Sequence, residues 1–512
     1  MRANRRCFLG HVVLVLALVL MVPARSPAEP KGTVIYAVHI TIAPAWFDPG
    51  DNPGQITPFI IQYALHDAMI KPMPSGMMTP SLAESWTASR DGRVYDFVLR
   101  KNVVFHNGDP MTAEDVKFSF ERYRGAGAKL FKEKVEAVTI VDPHRVRFHL
   151  KEPWPDFMGF YGSPATGAGW IVPKKYLEKV GDDGFKRAPV GAGPFKLASM
   201  APGVEIVLEA HEKYWRKTPK VKRIVLKSVP EGSTRLAMLK RGEVHIAYKT
   251  DGPLGEEVKK DPKLDLVFSG GIGVFWLQFE ELNDPKSPWH NRKVRLAANY
   301  ALDRKALSEA ETLGASPPTG SIIPREFEWA LPVDPVPYDP KKAKQLMVEA
   351  GYASGFDAGF ITPIPPYYSL AEAVAGYLGV IGIKAKVRKM ERAVMFDKRR
   401  KHELGDLCLC GNGGFGNAVT RIDADMWSGG VHSVLKDAEI DKLFEEQSRE
   451  SDPKKREALL KRIQQRVVDQ AYFAPIYQLQ WPNGVSKAMK VSGMGLIPTF
   501  YYTGPFEEIE LR

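Results

Sequence analysis

The stretch Leu82–Arg122, LAESWTASRDGRVYDFVLRKNVVFHNGDPMTAEDVKFSFER, decides how the rest of the chain is read. Within it, Tyr95-Asp96-Phe97-Val98-Leu99 alternates apolar and polar side chains as a half-buried strand does. Asp91-Gly92 and Asn107-Gly108 on either side are turn-forming pairs, so a strand sits between two turns. Thr112 then offers its hydroxyl as an N-cap, and Asp115 stands three residues on, where a capping-box acid belongs. Val116 and Phe120 share one face of the helix this predicts. Turn, strand, turn and capped helix in succession open an α+β domain.

Working outward toward the N-terminus, Arg2, Arg5 and Arg6 precede the apolar run His11–Val22, and Ser26-Pro27-Ala28 follows with small residues where a signal peptidase reads. The run has twelve residues, short of the roughly 20 needed to cross a bilayer as a helix. Residues 1–28 are therefore predicted to be a cleaved export signal, and the mature protein a soluble exported one. Arg5-Arg6-Cys7-Phe8-Leu9 also resembles a twin-arginine motif, but Asn4 and Gly10 depart from its flanks, so Sec export is preferred. Cys7 precedes the apolar run and so cannot become a lipid-modified residue.

Removing residues 1–28 leaves 67 basic against 60 acidic residues, a formal charge of +7. That mild excess, without a clustered aromatic and basic motif, excludes nucleic acid as the expected partner. The cluster Lys398-Arg399-Arg400-Lys401-His402 reads as a solvated helix face. Cys408 and Cys410 fall two apart on the apparent strand Leu407–Cys410 and share one face. A metal pair or a disulfide can be built from them, but no second Cys or His pair accompanies them, and two buried free thiols are expected.

A mature chain of 484 residues exceeds one core and suggests about three domains. Strand patterns at Thr33–Val38, Val146–Leu150 and Ile224–Val229 alternate with capped helices, which points to mixed sheets. Asp339-Pro340 opens a helix over 340–350 that ends at Gly351, and Asp452-Pro453 opens another with Leu459, Leu460, Ile463 and Val467 as its buried stripe. No Gly-x-Ser-x-Gly, His-Glu-x-x-His or Walker loop occurs, so no enzyme is expected. The histidines are scattered without ligand spacing, so neither a metal nor another cofactor is indicated.

The order of residues in the opening stretch closely resembles the bacterial extracellular solute-binding proteins of family 5, the dipeptide, oligopeptide and nickel receptors of ABC importers. The resemblance rests on Leu82-Ala83-Glu84-Ser85-Trp86, Asp91-Gly92, Leu99-Arg100, Phe105-His106-Asn107-Gly108 and Thr112-Ala113-Glu114-Asp115-Val116. It continues in Val190-Gly191-Ala192-Gly193-Pro194-Phe195 with Tyr214-Trp215, in Arg235–Ile246, and in Asn291–Leu307. His245 departs from it, standing where the family usually has Asp.

The resemblance implies a mixed α/β, two-lobed periplasmic binding protein fold of type II with an extra third domain. Domain I is expected at about 29–56, 186–268 and 478–512, domain II at 57–185 and domain III at 269–477. Ser269-Gly270-Gly271 and Trp481-Pro482-Asn483-Gly484 then mark two hinge crossings. The partners implied are two permease subunits with their ATPases, and a monomer is expected.

In peptide-binding relatives the loop after the second-lobe strand holds an acid that pairs with the ligand's α-amino group. From Gly411 through Arg421 this chain has no acid, although Asp423 or Asp425 can take that role if the loop is shifted. The ligand-binding candidates are Trp46 as a stacking platform or core residue, Trp276 and Gln278 on the strand after the hinge, Asn412 and Phe415 in the glycine-rich loop, and Arg421 as a carboxylate or phosphate fork. Three functions compete: a receptor for a peptide or peptide-like solute, a receptor for a non-peptide solute such as a metal chelate, opine or sugar derivative, and a periplasmic hydrolase or folding helper on the same scaffold.

Overall fold

The computed structural model describes residues 29–52, 56–162, 166–413, 417–498 and 500–512. The expected export signal and Phe415 lie outside the described residues, and the side chain of Asn412 is likewise not described.

The opening stretch folds as its pattern predicts. Strand Val94–Leu99 buries Tyr95, Phe97 and Leu99 and turns Asp96 outward, where Arg147 of the neighbouring strand holds its carboxylate at 2.8 and 3.1 Å. That strand lies in a four-stranded antiparallel sheet ordered Ala83–Ala88, Val94–Leu99, Arg145–Leu150, Val135–Asp142. Helix Ala113–Glu121 carries the capping box: Glu114 N–H donates to Thr112 Oγ1 at 3.3 Å and Thr112 N–H to Asp115 Oδ2 at 2.8 Å.

His106, from the same stretch, ties it to the Gly191-Ala192-Gly193 segment. Gly191 N–H donates to His106 Nδ1 at 3.2 Å, which places the ring proton on Nε2, 3.0 Å from Gly193 O. A Cβ on Gly191 or Gly193 would run into the Leu65 and Ala64 backbone, so the close approach requires glycine at both positions.

The lobes share one ten-stranded mixed sheet ordered 195–201, 205–210, 223–228, 33–38, 246–247, 473–486, 264–279, 407–413, 356–363, 383–387. Its centre is the antiparallel pair Leu264–Phe279 and Phe473–Ser486, paired from Leu264↔Ser486 to Gln278↔Phe473 with two shifts of register. One end of the pair meets the first-lobe strand through Ile246↔Val485, and the other meets strand Leu407–Gly413 through Phe279↔Leu407. Both segments expected as hinge crossings thus lie within continuous strands. The register slips between Gly270 and Gly273, where Gly270 and Gly271 take φ of +115° and +109°. No helix of the described residues is long and apolar enough to cross a membrane.

The cysteine expectation is corrected. Cys408 and Cys410 are buried and joined as a disulfide, with Cα atoms 5.1 Å apart. Strand alternation puts both sulfurs on one face, and that separation lies within the span a disulfide bridges. The basic cluster is only in part a solvated face, because Arg399 turns inward and is buried while Arg400 and Lys401 stay exposed.

Candidate functional site

A cavity of about 50 Å³ lies beside the central strand pair, which lines it with Gly273, Val274, Phe275, Leu479 and Trp481. Thr57, Phe275, Ile364, Tyr367, Arg392, Gly411, Trp481, Tyr501 and Tyr502 are among the residues that line it. Each is placed by an element boundary. Tyr367 and Ile364 follow strand Phe356–Pro363, Gly411 lies near the end of strand Leu407–Gly413, and Arg392 opens helix Arg392–Arg400. Ligands of open α/β sheets sit at such strand ends. Glu391 caps the helix by accepting from Ala393 N–H at 2.7 Å and Val394 N–H at 3.0 Å, which holds Arg392 at its mouth.

Polar contacts cross the cavity. Arg392 Nη2 donates to Thr57 Oγ1 at 2.9 Å, and its Nη1 reaches Pro365 O. The Trp481 indole N–H donates to Tyr367 Oη at 2.6 Å, and the Tyr367 ring stands 4.4 Å from that of Phe275. Behind Trp481 and Tyr502, His39 is buried, and neither ring nitrogen has a hydrogen-bond partner among the described residues. Burial depresses its pKa well below the usual histidine range, and the charges of Arg235, Arg392 and Lys249 depress it further.

Among the candidates whose side chains are described, Trp46, Trp276, Gln278 and Arg421 are not among the residues lining this cavity. Trp46 is half-buried in a 3₁₀ turn, its carbonyl accepting from Gln62 Nε2 at 2.8 Å. Trp276 and Gln278 are buried and joined to each other, indole N–H to Oε1, at 3.1 Å. The central strand gives the cavity Gly273, Val274 and Phe275, the residues just before Trp276. Arg421 is buried and shares Asp425 with Arg399, at 3.3 and 3.0 Å respectively. Asn412 lies on strand Leu407–Gly413, paired with Val274, next to lining residue Gly411. Arg392, Tyr367 and Tyr502 escaped sequence reasoning; the one signal that bears on Arg392 is Glu391 as a helix cap directly after a strand.

The two acids beyond the loop differ. Asp425 is engaged by two guanidinium groups. Asp423 makes no ion pair among the described residues, and burial, then the nearby Asp156 and Asp425, push its carboxyl up to about 7. Deeper in the second lobe, Glu280 lies with Cys408 and Cys410 such that their donor atoms fall within 4.8 Å. The sulfurs bond each other, which withdraws them as thiolate ligands. Burial pushes Glu280 up to about 7 against the pull of Arg399 and the hydrogen bond from Gln278.

Comparison with known proteins agrees with this architecture. Residues 77–430 match the family described as bacterial extracellular solute-binding proteins, family 5 Middle. Heme-binding protein A of Haemophilus influenzae is 33% identical over 64% of this chain and 64% of its own length. The glutathione-binding protein GsiB of Salmonella choleraesuis is 30% identical over 70% of this chain and 72% of its own. The periplasmic binding protein DppA of Helicobacter pylori, solved with the peptide STSA, superposes with a TM-score of 0.82 at 23% identity, over 94% of this chain and 98% of that one. This chain belongs to the bacterial extracellular solute-binding proteins of family 5.

Proposed function

We propose that the protein is the capture component of an ABC importer, closing its two lobes on a peptide or peptide-like solute in the periplasm and presenting it to two permease subunits with their ATPases. The observation that supports this reading is the cavity beside the central strand pair, where the Arg392–Thr57 hydrogen bond joins residues 335 positions apart. Contacts made to both lobes at once exist only when the lobes are together, so a ligand that makes them shifts an open–closed equilibrium toward the closed form. The role is capture without chemistry. The relatives named for glutathione and heme support a solute of this size class.

Thermal unfolding of residues 29–512 against dipeptides, oligopeptides, N-blocked peptides, glutathione, metal chelates and opines tests this. A ligand of the folded state alone stabilises by about 2.7 kcal/mol at a hundredfold excess over Kd. One chemical class should raise the midpoint. An unmoved midpoint throughout the panel would contradict the proposal.

A further inference from the structure

The cavity's charge is one-sided. Among the described residues lining it, Arg392 is the only charged one, and its hydrogen-bond partners Thr57 Oγ1 and the Pro365 carbonyl are neutral. Its Nε is buried with no hydrogen-bond partner among the described residues. A desolvated guanidinium nitrogen without an acceptor costs roughly 1–3 kcal/mol, so the arrangement is complete only when an acceptor arrives. The volume of about 50 Å³ suits a carboxylate-sized head group, since a single water needs about 10–15 Å³ on the same measure.

The neighbouring groups favour an anion over a neutral acceptor. Tyr367 Oη already accepts from the Trp481 indole, which leaves its hydroxyl hydrogen to donate. Lys249 lies with its ammonium 4.5 Å from the centre of the Tyr367 ring, although Asp251 pairs with it. His39, behind the wall, is kept neutral by burial and by the positive charges of Arg235, Arg392 and Lys249. Asp423, the acid after the glycine-rich loop with no cation partner among the described residues, is not among the cavity's lining residues.

We propose that Arg392 anchors an anionic head group of the captured solute, a carboxylate taken by its free Nε edge across from Thr57 and Tyr367, so that the receptor selects carboxylate-bearing solutes and needs no free ammonium group on them. The inference rests on the cleft being the capture site and names the charge class that site takes. The guanidinium fork matches a carboxylate in shape as well as charge.

Calorimetric titration of residues 29–512 with glutathione, N-acetyl-dialanine and mannopinic acid, each paired with the form whose carboxylates are amidated or esterified, tests the proposal. At least one free acid should bind tenfold or more tightly than its blocked form. Arg392→Gln should abolish that preference while its unliganded melting midpoint stays near wild type, and Arg392→Lys should keep part of it. Should Arg392→Gln fail to fold, the acid-to-blocked ratio of the wild type and the Arg392→Lys protein still decide the matter. Equal binding of acid and blocked forms, or an acid preference that survives Arg392→Gln, would overturn the anion anchor and leave capture standing. Silence from every probe in both forms would overturn the capture reading and this inference with it.

Discussion

Asp67 is buried and accepts from five donors: Lys71 Nζ at 2.8 Å, Ser81 Oγ at 2.6 Å, Ala68 N–H at 3.0 Å, and Tyr214 Oη and Trp215 Nε1 both at 2.9 Å. Burial alone would raise its pKa, but Lys71, Arg216 and the hydrogen bonds outweigh it and hold the carboxyl at about 2. An unfolded Asp titrates near about 3.9, so this depressed group contributes stability that is present above pH ~4 and lost as pH falls through ~2, about 2–3 kcal/mol in all. Asp67→Asn should cost about 3–5 kcal/mol at pH 7, because it leaves Lys71 buried without its partner. Urea midpoints measured between pH 5 and pH 2.5 should fall more steeply for the wild type than for the variant; parallel slopes would refute the assignment. Tyr214-Trp215 was legible as a motif, yet nothing local marks Asp67, 147 residues away, as the acid it serves. The cysteines are similar: alternation placed them on one face, but bond or free thiols is a matter of sulfur geometry that a pattern does not fix. A thiol assay on unreduced, unfolded residues 29–512 should find none, and two would contradict the disulfide. Arg392 was illegible because a guanidinium whose partner, Thr57, lies 335 positions away leaves no mark in its own neighbourhood.

At the scale of elements, caps were the most readable feature. Asp339 and Asp452 cap helices Pro340–Glu349 and Pro453–Asp469, accepting from Lys342 N–H at 2.8 Å and Lys454 N–H at 2.9 Å. Asp452→Ala should cost about 1 kcal/mol by urea unfolding, and no change would show the cap to be idle. The crossing strand was legible only in part. Ser269-Gly270-Gly271 reads as a hinge crossing, and the paired strand runs through it with a shift of register. Its phase was unreadable because Val274, Phe275, Trp276 and Leu277 are all buried, so alternation gives no cue to which face meets the cavity. Gly270 sits at φ +115°, and a Cβ there would strike the Tyr501 ring. Gly270→Ala should therefore destabilise by about 1–3 kcal/mol, read as a lower urea midpoint; an unchanged midpoint would mean that Tyr501 yields freely.

At the scale of the whole molecule, the two-lobed architecture followed from the ordered resemblance in Leu82–Arg122 and its continuations, while the way the lobes meet did not. The contacts that join them pair residues hundreds of positions apart: Arg392 with Thr57 at 2.9 Å, and Arg456 with Asp156 at 2.5 Å, the latter linking helix Pro453–Asp469 to the region of the four-stranded sheet. Arg456 and Asp156 are both buried, so Arg456→Met should weaken this junction markedly while leaving each lobe's own core intact. The central claim is that a solute is captured by closure of the lobes upon it. The most direct test is small-angle X-ray scattering of residues 29–512 with and without a saturating solute from the binding panel. The account predicts a smaller radius of gyration in the bound state, with Arg392→Gln failing to contract at the same solute concentration. Saturating binding with an unchanged radius of gyration would contradict it.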